Sequence, residues 1–276
     1  MFALLLSFAE HDERIRLVTL EGSRTISHVR QDSFQDYDVS YWVSEIGDFE
    51  IAEVDDQWLA YFGSRLILQK PEAPYQNGLA YLMLFEDGNR IDLFVLARDE
   101  WLNYLGAEAS VQILLDKDQR VSEPPVSQAE MFQTDLPTAE TFSESCNEFW
   151  WVSTYVVKGL CRGECLYATA HFEQIVRPEL LRLLAWQAVS QKGGGLDLGK
   201  EFKFLPCYLD DETTQRLKST YNLASEAAIW TALLTSQELF FEISQNLAST
   251  LDFPLELTEA ENVRRYTQLF YEGGSL

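Results

Sequence analysis

Asp36 and Asp38 stand one residue apart in Phe34-Gln35-Asp36-Tyr37-Asp38, just where a Tyr-, Val- and Trp-rich stretch, Tyr37 to Val43, predicts a strand. Residues two apart on a strand share a face, with backbones about 6–7 Å apart, so the two carboxylates can converge on a hard cation such as Mg²⁺. Asp92 is a third acid, set among Leu84, Ile91, Leu93 and Val95. A carboxylate among apolar neighbours is costly unless a metal or other cation offsets its charge. Each acid alone also has a bland reading: a solvated turn for the pair, an edge-strand residue facing water for Asp92.

A Gly-Ser turn completes the set. Ile15 to Leu20 alternates as a strand should and ends at Glu21-Gly22-Ser23-Arg24. Gly22 permits close backbone approach, exposed amides and the Ser23 hydroxyl can receive phosphate oxygens, and Arg24 adds fixed positive charge. Strand, Gly-Ser, Asp-x-Asp on the next strand and a single Asp on a later one form a far more specific combination than any one of these parts.

Other elements must position these groups. A short N-terminal helix precedes the first strand. Leu79 to Phe85 and Arg90 to Leu96 flank Glu86-Asp87-Gly88-Asn89, a strong hairpin signal. Trp58, Leu59, Phe62 and Leu66 predict a helix over Asp55 to Ile67, and a second is expected from Trp101 to Leu115. From Arg120 to Thr138 the texture turns to Pro, Ser, Gln and Thr, which places a domain boundary there, with domains 1–135 and 136–276. Beyond it helices are predicted over Ser143–Leu160, Glu164–Val176, Pro178–Gln191, Asp211–Tyr221, Ser225–Leu247 and Glu259–Tyr271, with Gly193-Gly194-Gly195 as a helix stop. The expected fold is α+β: a mixed β-sheet with helices, then an all-helical bundle.

The motif order resembles the nucleotidyltransferase superfamily. More narrowly, Arg14-Ile15-Arg16-Leu17-Val18-Thr19-Leu20-Glu21-Gly22-Ser23-Arg24, Phe34-Gln35-Asp36-Tyr37-Asp38 and Leu84-Phe85-Glu86-Asp87-Gly88-Asn89-Arg90-Ile91-Asp92-Leu93 look like aminoglycoside 6-adenylyltransferases, the streptomycin-modifying family. So do Asn147-Glu148-Phe149-Trp150-Trp151-Val152-Ser153-Thr154-Tyr155-Val156-Val157-Lys158-Gly159-Leu160 and Ile175-Val176-Arg177-Pro178-Glu179-Leu180-Leu181. The likeness spans nearly the whole chain and departs from the family pattern at Thr25 to Gln31, between Lys70 and Leu79, and at Gly163.

The resemblance implies Mg²⁺-dependent transfer of AMP from ATP to an aminoglycoside hydroxyl, the 6-hydroxyl of streptomycin, with release of pyrophosphate and resistance to the drug. Asp36 and Asp38 would then hold Mg²⁺, and Asp92 would complete the metal site and take the acceptor's proton. Gly22, Ser23, Arg24, Lys158, Lys200 and Lys203 would bind the nucleotide. Glu148 and Glu164 are candidates to pair with guanidinium groups, and Trp150, Trp151 and Tyr155 to stack on the acceptor. Aromatics at helical spacing also suit a core, and a lone helical Lys also suits solvent. The competing readings are adenylyl transfer to another aminoglycoside, a lincosamide-like drug or a protein, and a non-catalytic acidic module that sequesters cations.

Composition bears on the partner. Twenty-one basic against 44 acidic residues give a net charge of −23, which repels nucleic acid and anionic bilayers and favours a cationic partner. Four scattered cysteines support neither a disulfide framework nor a zinc site. No signal peptide or spanning segment is expected, and the chain reads as a cytoplasmic monomer.

Overall fold

The computed structural model describes residues 1–26, 29, 31–50, 57–73, 78–101, 104, 111–121 and 133–275. The chain divides into two compact units, Met1–Met131 and Phe132–Leu276.

In the first unit, α1 (Phe2–His11) leads into β1 (Ile15–Glu21), followed by β2 (Tyr37–Val43), β3 (Arg65–Gln69), β4 (Leu79–Phe85), β5 (Arg90–Ala97) and β6 (Val111–Asp116). They form one mixed sheet in the order β3-β4-β5-β2-β1-β6. Among the described residues only β2 and β5 run parallel; the other neighbours are antiparallel. The β4–β5 connection is the expected hairpin, with Gly88 at φ +83° and the Asn89 amide bonded to Asp87 Oδ1.

Alternation sorts the sheet into two unlike faces. Val18, Leu20, Val39, Tyr41, Ile91, Leu93 and Val95 are buried in a core with Leu5 and Ala9 of α1. The opposite face starts apolar, with Leu17, Trp42 and Leu96 packed on Trp101 and Tyr104. Along the same strands it then turns polar through buried Thr19, Ser40 and Glu21. This second face carries the acids.

Of two expected helices, one is not α-helical where the structure describes it and the other holds only at its start. Gln57–Phe62 is a 3₁₀ turn and Arg65–Gln69 is strand β3; Asp55 and Asp56 lie outside the described residues. Trp58, Leu59 and Phe62 do share a buried side, which is why their spacing suggested a helix. Leu66, however, is 62% exposed on an edge strand. In the other, Trp101 and Tyr104 are helical, but Val111–Leu115 belongs to β6, which hydrogen-bonds to β1, while most of 102–110 lies outside the described residues. The expected boundary segment also lies partly outside them, at 122–132.

The second unit holds α2 (Ala139–Cys161), α3 (Cys165–His171), α4 (Arg177–Lys192), α5 (Asp211–Ser219), α6 (Glu226–Leu251) and α7 (Leu257–Tyr271). Thr138 opens α2 with a capping box shared with Thr141. A π-helical turn, Phe172–Val176, joins α3 to α4 without a break, and Gly193 at φ +77° ends α4. The unit is not wholly helical: β7 (Gln133–Thr134) pairs with β8 (Leu196–Asp197). Its core includes Phe142, Phe149, Trp150, Leu180, Leu184, Leu233 and Phe240. Among the described residues, no helix is long and apolar enough to cross a membrane.

Candidate active site

The parallel β2–β5 register sets Asp38 directly beside Asp92. Asp36 precedes β2 on the same face by the two-residue period. Burial pushes the Asp38 carboxyl up to about 6, with the negative charges of Asp92 and Asp36 adding to the rise. Asp36 is raised as well, chiefly by burial, and the positive charge of Arg90 opposes that shift. The sheet has therefore gathered three mutually repelling acids.

Arg90, two residues before Asp92 on β5, answers part of that charge. Its Nε lies 3.1 Å from Asp92 Oδ1 and 3.7 Å from Asp36 Oδ2. The sequence offered a sign of this, since Arg-x-Asp on a strand also projects to one face.

At the end of β1 the chain turns through a 3₁₀ segment, Gly22–Thr25. Gly22 has φ +69°, and a Cβ there would overlap the Asp38 carboxylate, so only glycine lets this turn lie against the acid. Gln35 donates its side-chain amide to Ser23 Oγ and to the Ser23 carbonyl, at 3.3 and 3.4 Å.

Arg24 is already engaged: its guanidinium donates to the carbonyls of Asp36 and Gln35, at 2.8 and 2.7 Å, and stacks 3.8 Å from the Tyr37 ring centroid. It braces the acid-bearing segment, and its hydrogen bonds go to the backbone.

Glu21, absent from the sequence-based set, is the next surprise. It is 6% exposed at the end of β1, with Oε1 accepting from Thr19 Oγ1, which in turn accepts from Trp42 Nε1. Burial, and after it the charge of Asp38, holds its carboxyl up at about 8 against hydrogen bonds that pull the other way. Its neighbours Thr19 and Ser40 could have hinted at a polar floor, but burial of the acid depends on β2 closing over β1.

The chemistry of this donor set suits Mg²⁺: hard carboxylate oxygens, gathered closely enough that charge as well as burial raises Asp36 and Asp38, with an arginine supplying countercharge. Among the described residues no three acids, histidines or cysteines already converge as a metal cage. A magnesium ion would thus be held by Asp36, Asp38 and Asp92 together with oxygens brought by its substrate, as this ion commonly is.

In the helical unit the expected site residues separate. Trp150 is 4% exposed, stacked edge-on against Phe149 and Phe240, so it is core and presents no face to a ligand; this corrects the expectation that it stacks on the acceptor. Trp151, one residue on, is 59% exposed and donates to the Tyr155 hydroxyl. Glu148 lines a cavity of about 740 Å³ together with Glu144, Asn147, Glu179, Arg182 and Trp186. Glu164 is exposed in the turn before α3 and is not among the residues lining that cavity. Lys158 lies over the Tyr155 and Tyr167 rings, whereas Lys200 and Lys203 are exposed on the turn after β8, Lys203 over Phe204.

The family described as Streptomycin adenylyltransferase matches residues 1–270. The chain belongs to that family. It is 41% identical to the aminoglycoside 6-adenylyltransferase of Bacillus subtilis (strain 168), over 98% of this chain and 96% of that one. It is also 41% identical to the enzyme of the same name from Campylobacter jejuni, over 96% and 93% of the two chains. A crystal structure of an aminoglycoside 6-adenyltransferase from Bacillus subtilis aligns with a TM-score of 0.50 and 39% identity, covering 98% of this chain and 97% of that chain. As a member of the streptomycin adenylyltransferase family the protein is a nucleotidyltransferase, and the α+β fold expected from its sequence stands.

Proposed function

We propose that the protein transfers AMP from ATP to a hydroxyl of streptomycin, the 6-hydroxyl, with Mg²⁺ and release of pyrophosphate, and thereby confers resistance to the drug. The observation that carries this reading is the in-register pairing of Asp38 with Asp92, with Asp36 on the same face. Nothing in a merely sequestering protein calls for three acids pressed together in this way.

The acceptor oxygen attacks the α-phosphorus, the bond from that phosphorus to the pyrophosphate oxygen breaks, and the hydroxyl proton passes to an Asp92 carboxylate oxygen. Bound Mg²⁺ would neutralise charge on the phosphate oxygens as the leaving group departs. Asp36 and Asp38, with Asp92 completing the site, would hold the metal, Gly22 and Ser23 receive phosphate oxygens at the turn, and Arg24 keeps Asp36 in place through the backbone. Arg90 balances the acids until substrate brings its own countercharge.

Glu148, with Glu144 beside it in the acidic cavity, is our candidate for pairing with a guanidinium group of the drug. Lys158 is our candidate for nucleotide phosphate; Lys200 and Lys203, exposed on a turn of their own, are weaker ones. The net charge of −23 agrees with a polycationic acceptor.

Mass spectrometry of streptomycin incubated with the protein, ATP and Mg²⁺ tests the reading. A mass gain of one AMP on the 6-position is expected. AMP appearing only on another aminoglycoside, a lincosamide-like drug or a protein would replace the acceptor, and no transfer with retained drug binding would favour sequestration.

A further inference from the structure

Glu21 ends β1 and immediately precedes the Gly22–Thr25 turn, a place from which a side chain ordinarily reaches forward to the first free amides. Glu256 does so at the start of α7, where Oε1 accepts from the Thr258 amide at 2.9 Å. Glu21 makes no such bond. Its side chain turns back along the strand instead, and Oε1 accepts from Thr19 Oγ1, two residues earlier on the same face. The amides of Gly22 and Ser23 are therefore left uncapped by the acid beside them.

The bond to Thr19 has a fixed direction. Trp42 Nε1 lies 3.0 Å from the same Thr19 oxygen, and an indole N–H can only donate. The Thr19 hydroxyl thus accepts from Trp42 and directs its own hydrogen to Glu21. Thr19 is fully buried, and the Trp42 indole at the head of the chain is packed among Leu17, Leu96, Trp101 and Tyr104, with the Tyr104 ring edge-on at 4.8 Å. Glu21 Oε2, by contrast, is buried without a hydrogen-bond partner of good geometry, as is the hydroxyl of Ser40, which faces Thr19 in the β1–β2 register. A buried oxygen left unsatisfied lowers stability, so the fold alone gives no reason for an acid here.

The exit of the turn is held separately, by Gln35 on Ser23 and by Arg24 on the carbonyls of Gln35 and Asp36. At the entry, Gly22 follows Glu21 at φ +69° with the Asp38 carboxylate where a Cβ would stand, so a small rotation at Glu21 would carry the turn off that carboxylate. We infer that Trp42, Thr19 and Glu21 form a one-way hydrogen-bond chain that carries the rigidity of the apolar core to the entry of the Gly22–Ser23 turn, with Glu21 as a positioning residue for the nucleotide's phosphates. The inference rests on the proposed reception of phosphate by Gly22 and Ser23. Glu21 itself touches no phosphate, since its free oxygen is buried and a carboxyl supplies no countercharge.

Calorimetric titration of the full-length protein with Mg²⁺ and α,β-methylene ATP, which cannot be cleaved at the α-phosphorus, tests the chain without acceptor or turnover. Thr19→Val and Glu21→Ala should each weaken nucleotide binding about threefold to tenfold, the range for one lost hydrogen bond. Thr19→Ser and Glu21→Gln keep the donor and the acceptor, and should stay within about twofold of wild type. The double variant Thr19→Val/Glu21→Ala should bind no more weakly than the worse single one, because the two residues act through each other. Thermal melts identify any variant that fails to fold; should Thr19→Val do so, the comparison of Glu21→Ala with Glu21→Gln decides the question. Lowered melting temperatures with unchanged nucleotide binding would overturn the positioning role, and additive losses in the double variant would overturn the chain. Wild type that binds no nucleotide would overturn the phosphate reading of the turn as well, whereas binding by wild type with equal binding by Glu21→Ala would overturn this inference alone.

Discussion

Asp38 on β2 and Asp92 on β5 are register partners across a parallel pair of strands, while the Asp38 carboxylate rests against Gly22 at the end of β1. Three strands thus meet at one acid. Changes at this junction should cost activity more than fold.

Asp92→Asn should lower AMP transfer by about 10²–10⁴-fold, the usual range when a catalytic proton acceptor is removed, and Asp38→Asn should lower it by taking away a metal ligand. Asp38→Asn should not lower the melting temperature, because it removes one of the repelling charges, whereas Asp92→Asn also gives up the Arg90 ion pair. Near-native turnover by Asp92→Asn would rule out its role as base.

Gly22→Ala introduces a Cβ where the Asp38 carboxylate lies and forces alanine to adopt φ +69°. A loss of roughly 1–3 kcal/mol is expected from the backbone alone, with transfer falling further than stability accounts for. Urea unfolding alongside initial rates would separate the two effects.

Glu21→Gln is a pH experiment. The folded-state carboxyl titrates near 8 against an ordinary value of 4.5, so below about pH 4.5 it is protonated in both folded and unfolded chains. As pH rises the unfolded chain ionises first, and wild type loses stability relative to the glutamine variant until the folded pKa is passed. The gap in melting temperature should therefore open above about pH 4.5, widen toward pH 8 and then level off. A constant gap would show that Glu21 is not held protonated.

Trp150 and Trp151 make a paired test. Trp150→Ala should cost about 3–5 kcal/mol as a core truncation, with little change in streptomycin KM for whatever folds. Trp151→Ala should lie within about 0.5 kcal/mol of wild type in stability. A KM effect at Trp150 larger than at Trp151 would reverse their assignment.

The strong local signals were legible without coordinates: the Asp-Gly hairpin, the Gly-Ser turn, Asp-x-Asp at a strand start and the long helices after Thr138. What escaped depended on partners distant in sequence. β3 and β6 lie at the two edges of the sheet, where shallow burial leaves no clean alternation, and β6 is a strand because β1 offers it a ladder. Glu21 is buried because Thr19, Ser40 and Trp42 share its face. Trp150 and Trp151 differ by a single helical step, and neighbouring Phe240 of α6 fixes which one turns inward. Lys158 gains its ring clamp only once Gly159 has let α3 pack against α2.

The parallel pairing of β2 with β5 also bears on how activity is acquired. Asp38 and Asp92 are far apart along the chain, and parallel strands cannot be joined by a tight turn, so their meeting is a non-local event that local structure cannot bring about early. Slipping the register by one residue would also turn Asp92 toward the apolar core beneath α1. Recovery of catalysis during refolding should therefore lag behind the return of secondary structure, and enzymatic turnover becomes a proofread signal of completed topology.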